Sequence, residues 1–394
     1  MTLLRRLRTP DRGVSRSGAV RQVLVDGRTP VNYEMVAPVL RLMADDERVQ
    51  FSFTASEAAG SLDQIYADAP LATRRIGPGR AALSKWDAYL ASDFMWATLP
   101  RGAGARIQMF HGVGGKYGFD APTESMRQWH RLFFVNERRL QNFVRAGAID
   151  PGSPAACLIG MPKVDCLVDG SMERHALLEQ FGLDPSRPTV LYAPTWSPAS
   201  SLNHLGVALV ERLVTMPINV IVKLHDRSCD LRARYSGGVD WKATLGPILD
   251  RPHALLATSA NITPCLVAAD VMVTDHSSCG FEYLLLDRPL VRIDMPQLIE
   301  LANVHPEYVD LLAGTAHNVH GADGAAVAAA AVERALGDPD ALSTSRRAVA
   351  ADLFYRPGTA AARCAAALYD VLGLAAHASV TSVLSAGEPC LRSA

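Results

Sequence analysis

The stretch from Ala269 to Asp294, ADVMVTDHSSCGFEYLLLDRPLVRID, constrains the fold of this chain more than any other. Val271 to Thr274 reads as a short apolar strand, Asp275 to Ser278 as a polar turn, the following residues as a helix with an apolar face, and the run after Pro289 as a second strand. That succession is one β-α-β unit. Its turn falls at the carboxyl end of a strand and the amino end of a helix, where unpaired backbone N–H groups and the helix dipole favour an anion. Ser277 and Ser278 can serve there as a helix cap, or they can hydrogen-bond a phosphate oxygen. Both readings stand at this point.

The pattern recurs along the chain. Strands are expected at RQVLVDG, VQFSFTAS, Ala88 to Asp93, Arg106 to Gly112, RLFFVNE and ACLIGMP, with helical spacing over Tyr33 to Met43 and in RRLQNFVRAGA. After a break near residues 163–171 it restarts: the helical SMERHALLEQFGL, the strand PTVLYAPT, a helix around Val207 to Thr215, then INVIVKLHD, ALLATS and VMVTDHSS. The Ala-rich GAAVAAAAVERAL and a final TAAARCAAALYDVLG helix follow. Strands separated by helices imply a mostly parallel, doubly wound sheet. At 394 residues the chain exceeds the roughly 150 expected of one domain. The expected division is a basic lead over 1–20, an α/β domain over 21–170, a second over 171–373, and a loose low-complexity tail over 374–394.

Composition excludes several classes. The formal net charge of -1 does not suit a general nucleic-acid-binding surface, so no nucleic-acid partner is expected. The cysteines are odd in number, scattered and never in a Cys-x-x-Cys pair, which points to reduced thiols rather than a disulfide frame or a zinc site. No apolar run reaches the roughly 18 residues of a spanning helix, and the start lacks a signal-peptide core. A cytoplasmic location follows as the expectation. The lead carries Arg5, Arg6, Arg8, Arg12, Arg16 and Arg21 among Leu3, Leu4 and Leu7. It is either a disordered solvated tail or a segment that rests on an anionic membrane surface, at the inner face of the cell membrane.

Ligands of open α/β sheets bind beyond the carboxyl ends of strands. Four polar runs occupy such places: FHGVGGKYGFD, APTWSP, KLHD and TDHSS, and three of them carry a histidine, His111, His225 or His276. In the first, Gly112, Gly114 and Gly115 allow backbone N–H groups to approach a ligand and Lys116 supplies a point charge suited to phosphate. The Gly-x-x-x-x-Gly-Lys-Ser/Thr spacing of a P-loop is absent. His111 can take a proton from a hydroxyl near neutral pH, or it is a histidine in a Gly-rich turn. Thr195, Lys223 and Asp275 are further polar residues at strand ends. A zinc site among the histidines and aspartates lacks the short spacing of a metal helix, and no Gly-x-Ser-x-Gly elbow supports serine hydrolysis.

LYAPTWSP, KLHD, VMVTDHSSCGFEYLLLDRPLVRID, FHGVGGKYGF and LIGMPKVD together resemble the CDP-glycerol glycerophosphotransferase family of teichoic-acid and capsule enzymes, with a weaker echo at DLFYRPGTAAAR. The resemblance covers about Gln108 to Asp294. It implies a GT-B-like α/β fold of two Rossmann-like doubly wound domains facing a central cleft, the nucleotide on the C-terminal domain and the acceptor mainly on the N-terminal one. It also implies no cofactor and no required metal. By the same similarity His111 matches the base, His225 a second, phosphate-contacting histidine, and Ser277 with Ser278 the pyrophosphate-binding pair. Two departures stand out: Asp226 where the family has proline, and His276 where it often has an aromatic residue. An extra carboxylate beside a phosphate would repel it, so Asp226 is expected to face a sugar or glycerol hydroxyl.

The implied reaction moves an alditol phosphate from a CDP-linked donor to a hydroxyl acceptor, lipid- or polymer-linked, in cell-wall or capsule polymer synthesis. The hydroxyl attacks the β-phosphorus as His111 takes its proton. Ser277, Ser278, His225 and Lys223 stabilise the leaving CMP. Glu282, one helical turn beyond Ser278, is a candidate acceptor for ribose hydroxyls or a solvated helix carboxylate. The alternatives are a GT-B glycosyltransferase using a nucleotide sugar and a nucleotide-binding protein that lacks turnover.

Overall fold

The computed structural model describes residues 20–55, 61–70, 73–92, 103–117 and 128–387. The chain forms two compact units, one of Met1–Gly112, Ala121–Asp165 and Phe354–Ala394, the other of Val113–Asp120 and Cys166–Leu353.

In the first unit, seven strands run β1 (Arg21–Asp26), β2 (Val49–Thr54), β3 (Arg74–Arg75), β4 (Trp86–Ala91), β5 (Ala103–Met109), β6 (Arg131–Phe134) and β7 (Ala156–Leu158). They form one sheet in the order β3-β2-β1-β4-β5-β6-β7, every pair parallel. The second unit has β8 (Thr189–Tyr192), β9 (Asn219–Lys223), β10 (Ala254–Ala257), β11 (Val271–Thr274), β12 (Leu290–Asp294) and β13 (Ala316–His320). Their order, β10-β9-β8-β11-β12-β13, is again wholly parallel. Both sheets start in the middle, wind outward, and reverse next to the starting strand, which is the doubly wound plan. Helices cover both faces, so the inner strands are continuous apolar runs rather than alternating ones: every residue of β8 and of β11 is buried.

Small side chains set the helix packing. In the second unit Ala328, Ala331 and Ala335 of the helix Gly324–Gly337 are buried in one core with Leu205, Leu209 and Leu213 of the helix Ser201–Leu213. In the first, Ala360, Ala362 and Ala365 of the helix Ala360–Leu372 are wholly buried, and that helix packs on Pro30–Met43.

This last helix was expected in the second domain and belongs to the first unit. The cause is a buried carboxylate. Asp165, closing LIGMPKVD, accepts from the backbone N–H groups of Gly358 (2.7 Å), Ala360 (3.1 Å) and Ala361 (2.7 Å), while Arg363 donates to the Ile159 carbonyl at 2.9 Å. The break expected near residues 163–171 contains the 3₁₀ turn Pro162–Leu167 that carries Asp165. The tail expected to be loose from 374 contains the helix Ala378–Gly387, tied down by Ser379, whose Oγ donates to the Leu42 carbonyl at 2.8 Å, and by a buried Val380. Of the basic lead over 1–20, residues 1–19 lie outside the described residues.

Candidate active site

The candidate residues divide between the units. His111 and Gly112 belong to the first; Gly114, Gly115, Lys116, Thr195, Lys223, His225, Asp275, Ser277, Ser278 and Glu282 belong to the second.

His111 follows the carboxyl end of β5, beside the end of β4. Its Nδ1 lies 2.5 Å from the Ser92 carbonyl oxygen. A carbonyl can only accept, so Nδ1 carries a proton, and the tautomer this selects has its lone pair on Nε2. The next residue is fixed as well: the Gly112 carbonyl accepts from Arg139 at 3.1 Å, and the Arg139 guanidinium lies over the Phe110 ring at 4.1 Å.

In the second unit the sheet reverses between β8 and β11, and the loops leaving those strands are joined there by Asp275. Its carboxylate accepts from Thr195 N (2.8 Å), Ser201 N (3.0 Å) and Ser201 Oγ (2.9 Å). At 0% exposure it has no surface for a ligand, so this residue of the expected phosphate-binding set holds the loop after β8 instead. Burial pushes its carboxyl up from the ordinary value, against the pull of those donors and of Lys116. Thr195 is buried too, its Oγ1 donating to the His276 carbonyl at 3.4 Å.

Lys116 reaches the same place, its Nζ donating to the carbonyl of His276, the residue before Ser277. Burial lowers its ammonium to about 8, with Asp275 and Cys279 pulling the other way. The backbone before it is pinned by Tyr308, whose hydroxyl donates to the Val113 carbonyl at 3.2 Å, and by His305 N, which donates to the Gly115 carbonyl at 2.8 Å. Gly115 has φ +79, and a Cβ there would meet the Tyr308 ring at 2.3 Å. Its glycine is therefore required by packing, a different reason from the ligand approach expected of it.

Ser277 is the N-cap residue of the helix Ser278–Tyr283, yet its side chain makes no capping hydrogen bond; its Oγ meets Cys279 Sγ at 3.0 Å. Ser278 is exposed. The cap reading of the pair therefore has no side-chain hydrogen bond behind it. Glu282 is 3% exposed, which overturns the solvated-carboxylate reading. The ring of His276 is 2% exposed, lies 5.9 Å from that of Phe281, and has no hydrogen-bond partner for either nitrogen among the described residues. Burial, then Lys116 and Arg292, hold it neutral far below the usual imidazole range. What His276 contributes is its carbonyl.

Lys223 and His225 follow at the end of β9. Lys223 is buried and turns its Nζ to the Leu224 carbonyl at 2.7 Å; burial lowers its ammonium. His225 Nδ1 meets the Asp226 carboxylate and lies 3.1 Å from the Arg227 backbone N–H. Burial works against the Asp226 charge, but the His225 hydrogen bond and the charges of His225 and Arg227 outweigh it and hold the carboxyl below its ordinary value. Asp226, expected to face a substrate hydroxyl, faces His225. Sequence reasoning passed over Trp196, Tyr117 and Arg227, which gather beside His225. The only signal was position, Trp196 inside APTWSP and Arg227 two residues past the histidine.

No protein of curated function matches the chain in sequence. A structure of the wall teichoic acid polymerase TagF matches with a TM-score of 0.66 at 13% identity, covering 98% of this chain and 96% of that one. The S. aureus MnaA–UDP structure matches at 0.59 and 12% identity (91% and 98%), and a UDP-N-acetylglucosamine 2-epimerase at 0.56 and 13% (90% and 97%). These likenesses show a GT-B-like fold. Residues 122–298, which carry APTWSP, KLHD and TDHSS, match the model of CDP-Glycerol:Poly(glycerophosphate) glycerophosphotransferase. Over that run, which is less than half of the chain, this protein is similar to the CDP-glycerol glycerophosphotransferase family.

Proposed function

We propose that this protein is a glycerophosphotransferase that moves glycerol phosphate, or a related alditol phosphate, from a CDP-linked donor to a hydroxyl at the end of a lipid- or polymer-linked acceptor. The observation that carries the reaction scheme is the hydrogen bond from His111 Nδ1 to the Ser92 carbonyl, which leaves Nε2 as an acceptor. The acceptor hydroxyl gives its proton to Nε2 as its oxygen bonds to the β-phosphorus, and the bond from that phosphorus to the bridging oxygen breaks, releasing CMP. Lys116, held at the His276 carbonyl beside Ser277, has two further protons for phosphate oxygens. Ser277 and Ser278 add hydroxyl donors, and His225 adds an imidazole at the next strand end.

In this scheme the charge on the leaving group is met by protein donors, so no divalent ion is required. The test is CMP release from CDP-glycerol with a glycerol-phosphate oligomer as acceptor. His111→Ala should lower turnover by about 10²–10⁴-fold with CDP affinity nearly intact. Activity should persist in EDTA, and loss restored by Mg²⁺ would contradict the scheme. Release of CDP or UDP from a nucleotide sugar would indicate glycosyl transfer instead.

No helix among the described residues is long and apolar enough to cross a membrane. Work at the cytoplasmic face would bring Arg5, Arg6 and Arg8, outside the described residues, against anionic lipid at about 1 kcal/mol each. Co-sedimentation with anionic vesicles should then fall on removal of residues 1–18, and equal binding without them would rule this out.

A further inference from the structure

Beside His225 the second unit builds a stack of aromatic rings around one guanidinium. Arg227 lies over the Trp196 ring at 4.5 Å from its centroid and 5.4 Å from that of Tyr235. Trp196 in turn stacks on Tyr117, with centroids 6.2 Å apart and planes within 17°, and the His225 ring is 6.2 Å from it. Trp196 follows the carboxyl end of β8 and Arg227 that of β9, its parallel neighbour. The stack therefore occupies the end of the sheet at which open α/β folds take ligands. Tyr117, at its outer end, is 40% exposed and holds a left-handed φ of 56°.

The nearby carboxylates make their close contacts with other residues, and the Arg227 side chain acts on Asp226 only through its charge. The Asp226 carboxylate faces His225, and Asp230 takes the Arg232 Nε at 2.9 Å through each of its oxygens. Lys223 gives its ammonium to the Leu224 carbonyl. Arg227 has no ion pair and no side-chain hydrogen bond among the described residues, although Arg232 and Arg234 crowd the same Tyr235 ring at 4.8 and 4.7 Å. Aromatic faces attract a guanidinium but use none of its N–H groups, which stay in the plane of the fork. A fork already in contact with two rings loses little freedom on binding, and its geometry suits two oxygens of a phosphate.

We propose that Arg227 is a phosphate-binding residue, its fork laid against both Trp196 and Tyr235, whose rings meet edge to face at 5.5 Å, to take two oxygens of a phosphate brought to the carboxyl ends of β8 and β9. This rests on the transferase reading above, which supplies two sources of that one chemistry: the donor's pyrophosphate and the phosphodiesters of the acceptor chain.

The experiment is calorimetric titration of wild type, Arg227→Gln and Arg227→Lys with CDP, inorganic pyrophosphate and a synthetic glycerol-phosphate oligomer, with melting curves alongside. Arg227→Gln should bind CDP and pyrophosphate about 10- to 150-fold more weakly if the donor is the source, or the oligomer more weakly by the same factor if the acceptor is. Arg227→Lys restores the charge without the fork and should recover only part of the loss. Should Arg227→Gln melt early, the lysine variant decides, since it keeps a cation over both rings. Wild-type affinity for all three ligands in a folded variant would overturn the proposal. A wild type that binds pyrophosphate but releases no CMP from CDP-glycerol would count against the transferase reading alone.

Discussion

Asp165 in the first unit and Asp275 in the second are both buried carboxylates that collect backbone N–H groups from far along the chain. Burial pushes both up from the ordinary carboxylate value. Both close a run recognisable in sequence, LIGMPKVD and VMVTD. Their surroundings differ. Asp165 joins a 3₁₀ turn to the start of a helix, whereas Asp275 joins the two strand-end loops that carry Thr195, His276 and the contact to Lys116. A motif in this chain marks a place where backbone must be held; only the neighbours decide whether chemistry also happens there.

Replacing each aspartate by alanine separates holding from binding most widely. Both variants should lose stability, about 1–3 kcal/mol for each buried donor left without an acceptor. Asp275→Ala should also lose most CDP affinity, because the loop after β8 is released, while folded Asp165→Ala should keep it. Equal CDP affinity in the two, measured below their melting points, would break the comparison.

Within the Asp275 neighbourhood, the serines give the next largest effect. Ser277→Ala or Ser278→Ala should weaken CDP by about 10- to 150-fold, the value of a hydrogen bond to a charged group. CMP, lacking the β-phosphate, should lose less. A change in melting point with no change in CDP affinity would reduce the pair to a cap, although Ser277 makes no capping hydrogen bond.

The smallest effect is a pH dependence. Lys116, lowered to about 8 by burial, is charged below that pH and loses its proton above it. Anion affinity should therefore be present at pH 7 and fall as pH rises through 8, by up to about tenfold per unit from this one group. A bound anion raises the ammonium again and softens the fall. In Lys116→Arg the dependence should vanish, and a wild-type profile flat to pH 9 would remove Lys116 from the site.

The inner strands were legible because burial on both faces demands continuous apolar runs such as VLYA and VMVT. The strands that escaped sequence reading, β3 (Arg74–Arg75) and β13 (AHNVH), are sheet edges, where that demand relaxes. The helix Ala378–Gly387 escaped because its Ala, Ser, Thr and Val residues carry no charged face to set off an apolar one. In the site, strand-end position pointed to all three histidines, but what each ring can do depends on what Nδ1 meets. For His111 that is a carbonyl from β4's end, for His225 a carboxylate and an amide next door, for His276 nothing among the described residues. Asp226 was misread for the same reason, since its partner is its own neighbour.

The passage of the chain out of the first unit at Asp165 and back at Phe354 has a consequence for the order of synthesis. On the ribosome the run Cys166–Leu353 emerges whole before Gly358, Ala360 and Ala361 exist to meet Asp165, and before Cys364 can reach Met109. The half translated first is the half completed last, so a transcript cut short anywhere in the second unit yields a first unit that waits, unclosed, for helices that never arrive.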